Sequence, residues 1–189
     1  MRIIAGRFRG RTLAAPKTGA VRPTADRVRE AVFSILGERV VGSRVLDLFA
    51  GTGALGLEAL SRGARCAVFV DSHRPSVALI RANLERCGVR PPEGEVLVLS
   101  AAAAIFRLAF QSRLFDLIFM DPPYGKGWIG KTLALLEPIS APDALVVAEH
   151  HEHDPVTEPF PPWQIADRRR YGTVAVTFFR RGGDLSGNL

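Results

Sequence analysis

From residue 44 onward the chain alternates apolar, strand-length runs with helix-patterned segments, and this alternation constrains the fold more than any other feature of its 189 residues. The runs Val45–Phe49, Ala67–Val70, Val96–Leu99, Phe115–Met120 and Leu145–Ala148 are apolar almost without a break, as strands covered on both faces are. Between them, segments near 54–62, 75–87, 101–111 and 128–137 read as helices, the second with Pro75 in its first turn and Gly88 as its stop. Strand and helix in strict alternation predict a doubly wound, mostly parallel α/β sheet. The end of the chain differs: Trp163–Arg170 and Thr173–Phe179, joined through Tyr171-Gly172, read as an antiparallel edge completing seven strands.

Upstream of the alternation, Ile3, Ile4, Phe8 and Leu13 stand among glycines and arginines, the pattern of a hairpin arm that buries little by itself. Thr24 is the expected cap of a helix whose apolar positions run Val28, Ala31, Val32, Ile35 and Leu36, with Gly37 ending it. The division expected is an arm at 1–20, a body at 21–181 and a tail at 182–189. Charge follows the same division. Residues 1–29 hold eight basic side chains against Asp26 alone, while the remainder carries 17 basic and 18 acidic groups. A near-neutral body with a cationic front suits a polyanion partner, and Arg2, Arg7, Arg9, Arg11 and Lys17 are the candidate phosphate contacts.

Other classes fit less well. No apolar run approaches the ~20 residues of a membrane span, and the N-terminus lacks a leader pattern, so a cytoplasmic protein is expected. Cys66 and Cys87 have no partner at metal-ligand spacing and read as reduced structural thiols. His150-His151-Glu152-His153-Asp154 lacks the spacing of a zinc site and reads as a solvated loop, so no metal is expected. A chain of this size suits a monomer of one compact domain.

Two segments carry chemistry. Asp47-Leu48-Phe49-Ala50-Gly51-Thr52-Gly53-Ala54-Leu55-Gly56 places GxGxxG between a strand and a helix, and Asp71 closes the next strand in position to accept ribose hydroxyls. That much suits a dinucleotide fold equally well. Asp47 favours a ligand with a cationic middle, since a carboxylate there repels a pyrophosphate and attracts an ammonium, although it also reads as a structural residue bonding loop amides. Asp121-Pro122-Pro123-Tyr124 ends the fourth strand at the carboxyl edge of the sheet, where ligands of open α/β folds sit. An exocyclic amine on a base is a poor nucleophile. Asp121 and the Pro122 carbonyl can each accept one of its N–H bonds and aim the lone pair, while Tyr124 stacks on the extruded base.

Asp-x-Phe-Ala-Gly-Thr-Gly resembles motif I of the class I, Rossmann-like methyltransferases, and Asp-Pro-Pro-Tyr resembles motif IV of the amino methyltransferases. With the opening Met1–Arg11, the Arg22-Pro23-Thr24 stretch, Asp26–Phe33 and Tyr171-Gly172 in the same order, residues 1–180 look like the bacterial RsmD family. The resemblance implies methyl transfer from S-adenosylmethionine to the N2 of a guanine, position 966, in 16S ribosomal RNA within the 30S subunit. It also implies a cofactor site from Asp47, Phe49, Ala50, Gly51, Thr52, Gly53, Asp71, Ser72, Ser100, Ala101 and Asp121, with Arg22 and Thr24 beside it. Where many such folds have an Asp after the third strand, this chain has Ser100-Ala101, so Ser100 or a backbone carbonyl is the expected adenine contact. The alternatives are an adenine-N6 methyltransferase, an NAD-dependent oxidoreductase and a ribosome-assembly factor with a vestigial pocket.

Overall fold

The computed structural model describes residues 1–16, 23–154, 156 and 160–182, with only the backbone of 23–25. Helix α1 (Pro23–Leu36) leads through a 3-10 turn (Gly37–Val40) into the alternating body. There follow β1 (Arg44–Leu48), α2 (Ala54–Ser61), β2 (Cys66–Val70), α3 (Arg74–Cys87), β3 (Gly94–Leu97), α4 (Ala101–Phe110), β4 (Phe115–Met120), α5 (Trp128–Leu136), β5 (Ser140–His151), β6 (Trp163–Tyr171) and β7 (Val174–Arg181). The seven strands lie in the order β3-β2-β1-β4-β5-β7-β6, parallel from β3 to β5, with β7 antiparallel to both of its neighbours. The doubly wound sheet with an antiparallel end is therefore present, with β7 inserted between β5 and the edge strand β6.

Alternation along each strand divides the core into two. Val45, Ala67, Phe69, Leu117, Phe119, Val147 and Phe178 face α1, α2 and α3. Leu46, Leu48, Val68, Val70, Ile118, Met120, Val146 and Phe179 face α4 and α5. Both faces being dry is why the strands read as unbroken apolar runs. Gly56 lets α2 lie directly on the sheet: a Cβ there would come within 2.4 Å of the Phe69 ring.

Several sequence expectations are corrected. The helix begins at Pro23, placing Thr24 inside its first turn and not at its cap. Pro at a helix start costs nothing because its missing N–H would have had no partner. β3 lies two residues earlier than the apolar run Val96–Leu99 suggested, since pairing with β2 sets its register at Ala67 opposite Gly94. β5 extends to His151, so the histidine cluster begins in a strand. His150 is buried, its Nδ1 2.8 Å from the His151 carbonyl and its Nε2 2.9 Å from Thr177 Oγ1. The expectation of a solvated loop fails there because β7 covers that strand. Lys17, Arg22 and residues 183–189 of the tail lie outside the described residues, as does the Thr24 side chain.

The first sixteen residues bury far more than a loose arm would. Arg2 bridges Thr12, and Ile3, Phe8 and Leu13 are all buried in the core of α1, α2 and α3. Their backbone is held by polar groups of the body. The fully buried Glu58 accepts from the amides of Ile4 (2.9 Å) and Ala5 (3.1 Å), and Ser61 Oγ accepts from Phe8 (2.9 Å). Asn83 both accepts from Ala14 N (2.6 Å) and donates to Ala14 O (3.1 Å). A segment that buries little by itself must lie on another part of the chain, and here the body covers its apolar side chains.

Candidate functional site

A cavity of about 780 Å³ opens at the carboxyl ends of β1, β2 and β4. That is within the range of sites for drug-sized ligands. Its floor is made where the sheet reverses its winding between β1 and β4, the position at which open α/β folds bind ligands.

The glycine loop reaches the cavity at Phe49, which leaves β1 with φ at 61°, a left-handed conformation costly for an aromatic residue. That turn places its ring 6.2 Å from the ring of Trp128, centroid to centroid. Asp71 organises the loop from the next strand. Its Oδ2 accepts from Gly51 N (2.9 Å) and its Oδ1 from His73 N (2.8 Å), while the side chain lines the cavity. Asn83 donates to Thr52 O at 2.9 Å, so one buried amide holds both the glycine loop and the N-terminal segment. Ser100 caps α4 by accepting from Ala103 N at 3.3 Å, and with Ala101 it lines the cavity.

Asp47 lies apart from this wall. Its carboxylate is 2% exposed and accepts from Gly56 N at 3.0 Å, bonding the first turn of α2. Burial pushes its pKa up to about 7, an effect opposed by the Gly56 amide and reinforced by Asp71. The carboxylate thus anchors a helix amide and is not part of the cavity lining. Ala50, Gly51, Thr52 and Gly53 likewise shape the loop without being part of the cavity lining.

Asp121, Pro122 and Tyr124 line the other half of the cavity together. Asp121 is open to the cavity but surrounded by protein, and burial holds its carboxyl well above the usual carboxylate range, with Glu149 and Asp47 pushing the same way. The Tyr124 hydroxyl donates to Glu149 Oε1 at 3.4 Å, and its ring meets His151 edge-on at 5.9 Å. Burial also raises Glu149, against the Tyr124 hydrogen bond.

The structure thus brings Phe49, Asp71, Ser72, Ser100, Ala101, Asp121, Pro122 and Tyr124 to one cavity. Sequence reasoning missed His73, Ser76, Trp128 and Lys131 in its lining, and Glu149 behind Tyr124. Trp128 and Lys131 were findable, being one turn apart on the helix after Asp-Pro-Pro-Tyr; Glu149 had no signal beyond ending an apolar run. Of the candidate phosphate contacts, Arg7 pairs with Glu93 and stacks on Phe8, Arg11 donates to the Arg86 carbonyl (2.5 Å), and Arg2 and Arg9 are exposed. Among the described residues no cluster of His, Cys, Asp or Glu has the makings of a metal site, and no helix is long and apolar enough to cross a membrane.

Comparison with known proteins gives a consistent picture. The model of a family described as Conserved hypothetical protein 95 matches residues 1–180. The ribosomal RNA small subunit methyltransferase D of Escherichia coli K12 is 35% identical over 183 residues, 96% of this chain and 90% of that one. The solved structure of yhhF from Escherichia coli superposes with a TM-score of 0.83 at 33% identity, covering 96% of this chain and 97% of the other. The structure of SMU.776, described as a putative methyltransferase complexed with SAH, shares the fold at 19% identity and a TM-score of 0.69, over 82% and 48% of the two chains.

Proposed function

This chain belongs to the RsmD family, the one described as Conserved hypothetical protein 95, and from that membership we propose that it methylates ribosomal RNA of the small subunit. The proposed reaction moves a methyl group from S-adenosylmethionine to the N2 of a guanine, position 966 of 16S RNA, within the 30S particle, by a monomeric, cytoplasmic enzyme. The observation that carries this reading is that one cavity unites Phe49, at the start of the glycine loop, and Asp71 with Asp121-Pro122-Pro123-Tyr124.

The donor set fits the cofactor. Asp71, at the end of β2, suits the ribose hydroxyls, Phe49 and Leu99 offer apolar walls for an adenine, and Ser100 supplies polar partners at its rim. Asp47 contributes from behind, as negative charge near a cationic ligand and as the anchor of α2. When bound, S-adenosylmethionine supplies an activated methyl on a cationic sulfur. The chain's task is then positional. The Asp121 carboxylate and the Pro122 carbonyl accept the two N–H bonds of the guanine amine and aim its lone pair, and Tyr124, 40% exposed, offers a face for the base. As the amine becomes cationic on methylation, Asp121 is placed to stabilise that charge and to accept the departing proton. Arg2 and Arg9, exposed on the N-terminal segment, are the proposed phosphate contacts with Arg7, Arg11 and Lys17.

The test is transfer of tritium from methyl-labelled S-adenosylmethionine to small subunits lacking the modification. Retained label with the intact protein, abolished by Asp121→Ala, supports the proposal; no label above background overturns it.

A further inference from the structure

Asp121 lines the base-binding end of the cavity, and a second carboxylate, Glu149, stands directly behind the cavity wall at Tyr124, unused by the amine chemistry above. β4 and β5 are in register with Met120 opposite Ala148, so Asp121 and Glu149 are the next pair on neighbouring strands. Phe119 and Val147 face the α1 side and Met120 and Ala148 the α4 side; strict alternation therefore returns Asp121 and Glu149 to the same side. Neighbouring strands run roughly 4.8 Å apart. Glu149 Oε1 lies 3.4 Å from the Tyr124 hydroxyl, and Tyr124 is part of the cavity wall. A second acid so close to Asp121 raises the cost of ionising either, and a fold that only needed to position Tyr124 would do so more cheaply with a neutral acceptor.

We infer that Glu149 is a specificity residue: its carboxylate reads the N1–H of the target base beside Asp121 and so selects guanine over bases whose N1 is an acceptor. The inference rests on the guanine reading above and extends it. Guanine presents donors at both N1 and N2 on one edge, whereas adenine presents a lone pair at N1. With the N2 amine held by Asp121 and the Pro122 carbonyl, the adjacent donor falls toward the neighbouring strand, where Glu149 accepts it. With Glu149 ionised, a base with a lone pair at N1 faces it with two acceptors opposed, and bridging them requires Glu149 to take up a proton. A site built around a buried hydrogen bond rejects the analogue lacking it far more strongly than one built on shape.

The test uses reconstituted small subunits whose 16S RNA carries either guanine or 2-aminopurine at the modified position; 2-aminopurine keeps the N2 amine, replaces N1–H by a lone pair and lacks the O6 carbonyl, so the Glu149 variant is what ties the preference to N1. The intact protein should prefer guanine in kcat/KM by roughly tenfold or more, the scale of a hydrogen bond to a charged group. Glu149→Gln, whose amide can donate to a bare N1, should collapse that ratio toward unity, and Tyr124→Phe should preserve it. Equal use of both bases by the intact protein overturns the inference without needing any variant, as does an unchanged ratio in Glu149→Gln. A ratio that collapses equally in Tyr124→Phe also overturns it, because Glu149 would then act only through the tyrosine. Failure of the intact protein to methylate even the guanine subunits would overturn the function proposed above along with it.

Discussion

Asp121 and Asp47 are the same chemical group in two settings, and their variants should fail differently. Asp121 acts on the base amine in the proposed reaction, so Asp121→Ala is expected to bind S-adenosylmethionine normally in calorimetry while losing turnover by about 10²-fold or more. Near-normal turnover would contradict its assignment. Asp47 titrates in the folded chain at about 7, above its ordinary 3.8, so the folded state holds that proton more tightly than the unfolded one. The sign follows: its contribution to stability is fully present below about pH 4 and is lost as pH rises toward 7. Asn keeps an oxygen for the Gly56 amide without the titration. Asp47→Asn should therefore melt with a smaller loss of stability between pH 5 and pH 8 than the parent, and an equal loss would mean that the carboxyl is not the source.

At the scale of elements, the strands and helices of the body were legible because period and apolarity are local properties that burial on both faces leaves unmixed. Phe115–Met120 and the helices after the glycine loop and after Ser100 read almost as they fold. The ends of β3 and β5 were not legible, since pairing with β2 and with β7 decides them. In the site, Asp71 and Asp121–Tyr124 announced themselves by ending apolar strands, whereas Glu149 was hidden because its significance comes from the strand beside it. Glu58 was hidden for a similar reason. It sits in the middle of an apolar helix, fully buried, accepting from Arg62 Nε (2.8 Å) and from two amides of the N-terminal segment, with Arg29 as an ion-pair partner at 3.6 Å. Glu58→Ala leaves the Ile4 and Ala5 amides without their acceptor while Arg29 keeps Asp26 and the Arg2 carbonyl, and should cost about 1–3 kcal/mol in denaturant unfolding. Gly6 marks the same junction: with φ at 79°, a Cβ there would lie 1.8 Å from the Ser61 carbonyl oxygen, so Gly6→Ala must shift this turn locally away from Ser61. Its melting temperature should fall by several degrees, the effect of about 1 kcal/mol in a domain of this size.

For the whole molecule, the N-terminal segment is at once part of the core and the carrier of the exposed cations. Burying Ile3, Phe8 and Leu13 contributes on the order of 1.5–3 kcal/mol each, a sum comparable with the total stability of a domain. Removing residues 1–15 should therefore unfold the chain, and a truncated protein with native melting would contradict this. The electrostatic role needs gentler variants. Replacing Arg2 and Arg9 by Ala should leave melting unchanged and reduce the dependence of log RNA affinity on log salt by about 0.7–0.9 for each phosphate that is no longer neutralised. The central claim is that this fold joins a methyl-donor site to a guanine-amine site, and the most direct measurement is mass spectrometry of nucleosides from 16S RNA after undermodified small subunits are incubated with the protein and S-adenosylmethionine. The account predicts one new nucleoside, N2-methylguanosine. N6-methyladenosine in its place, or no methylated nucleoside at all, would contradict it.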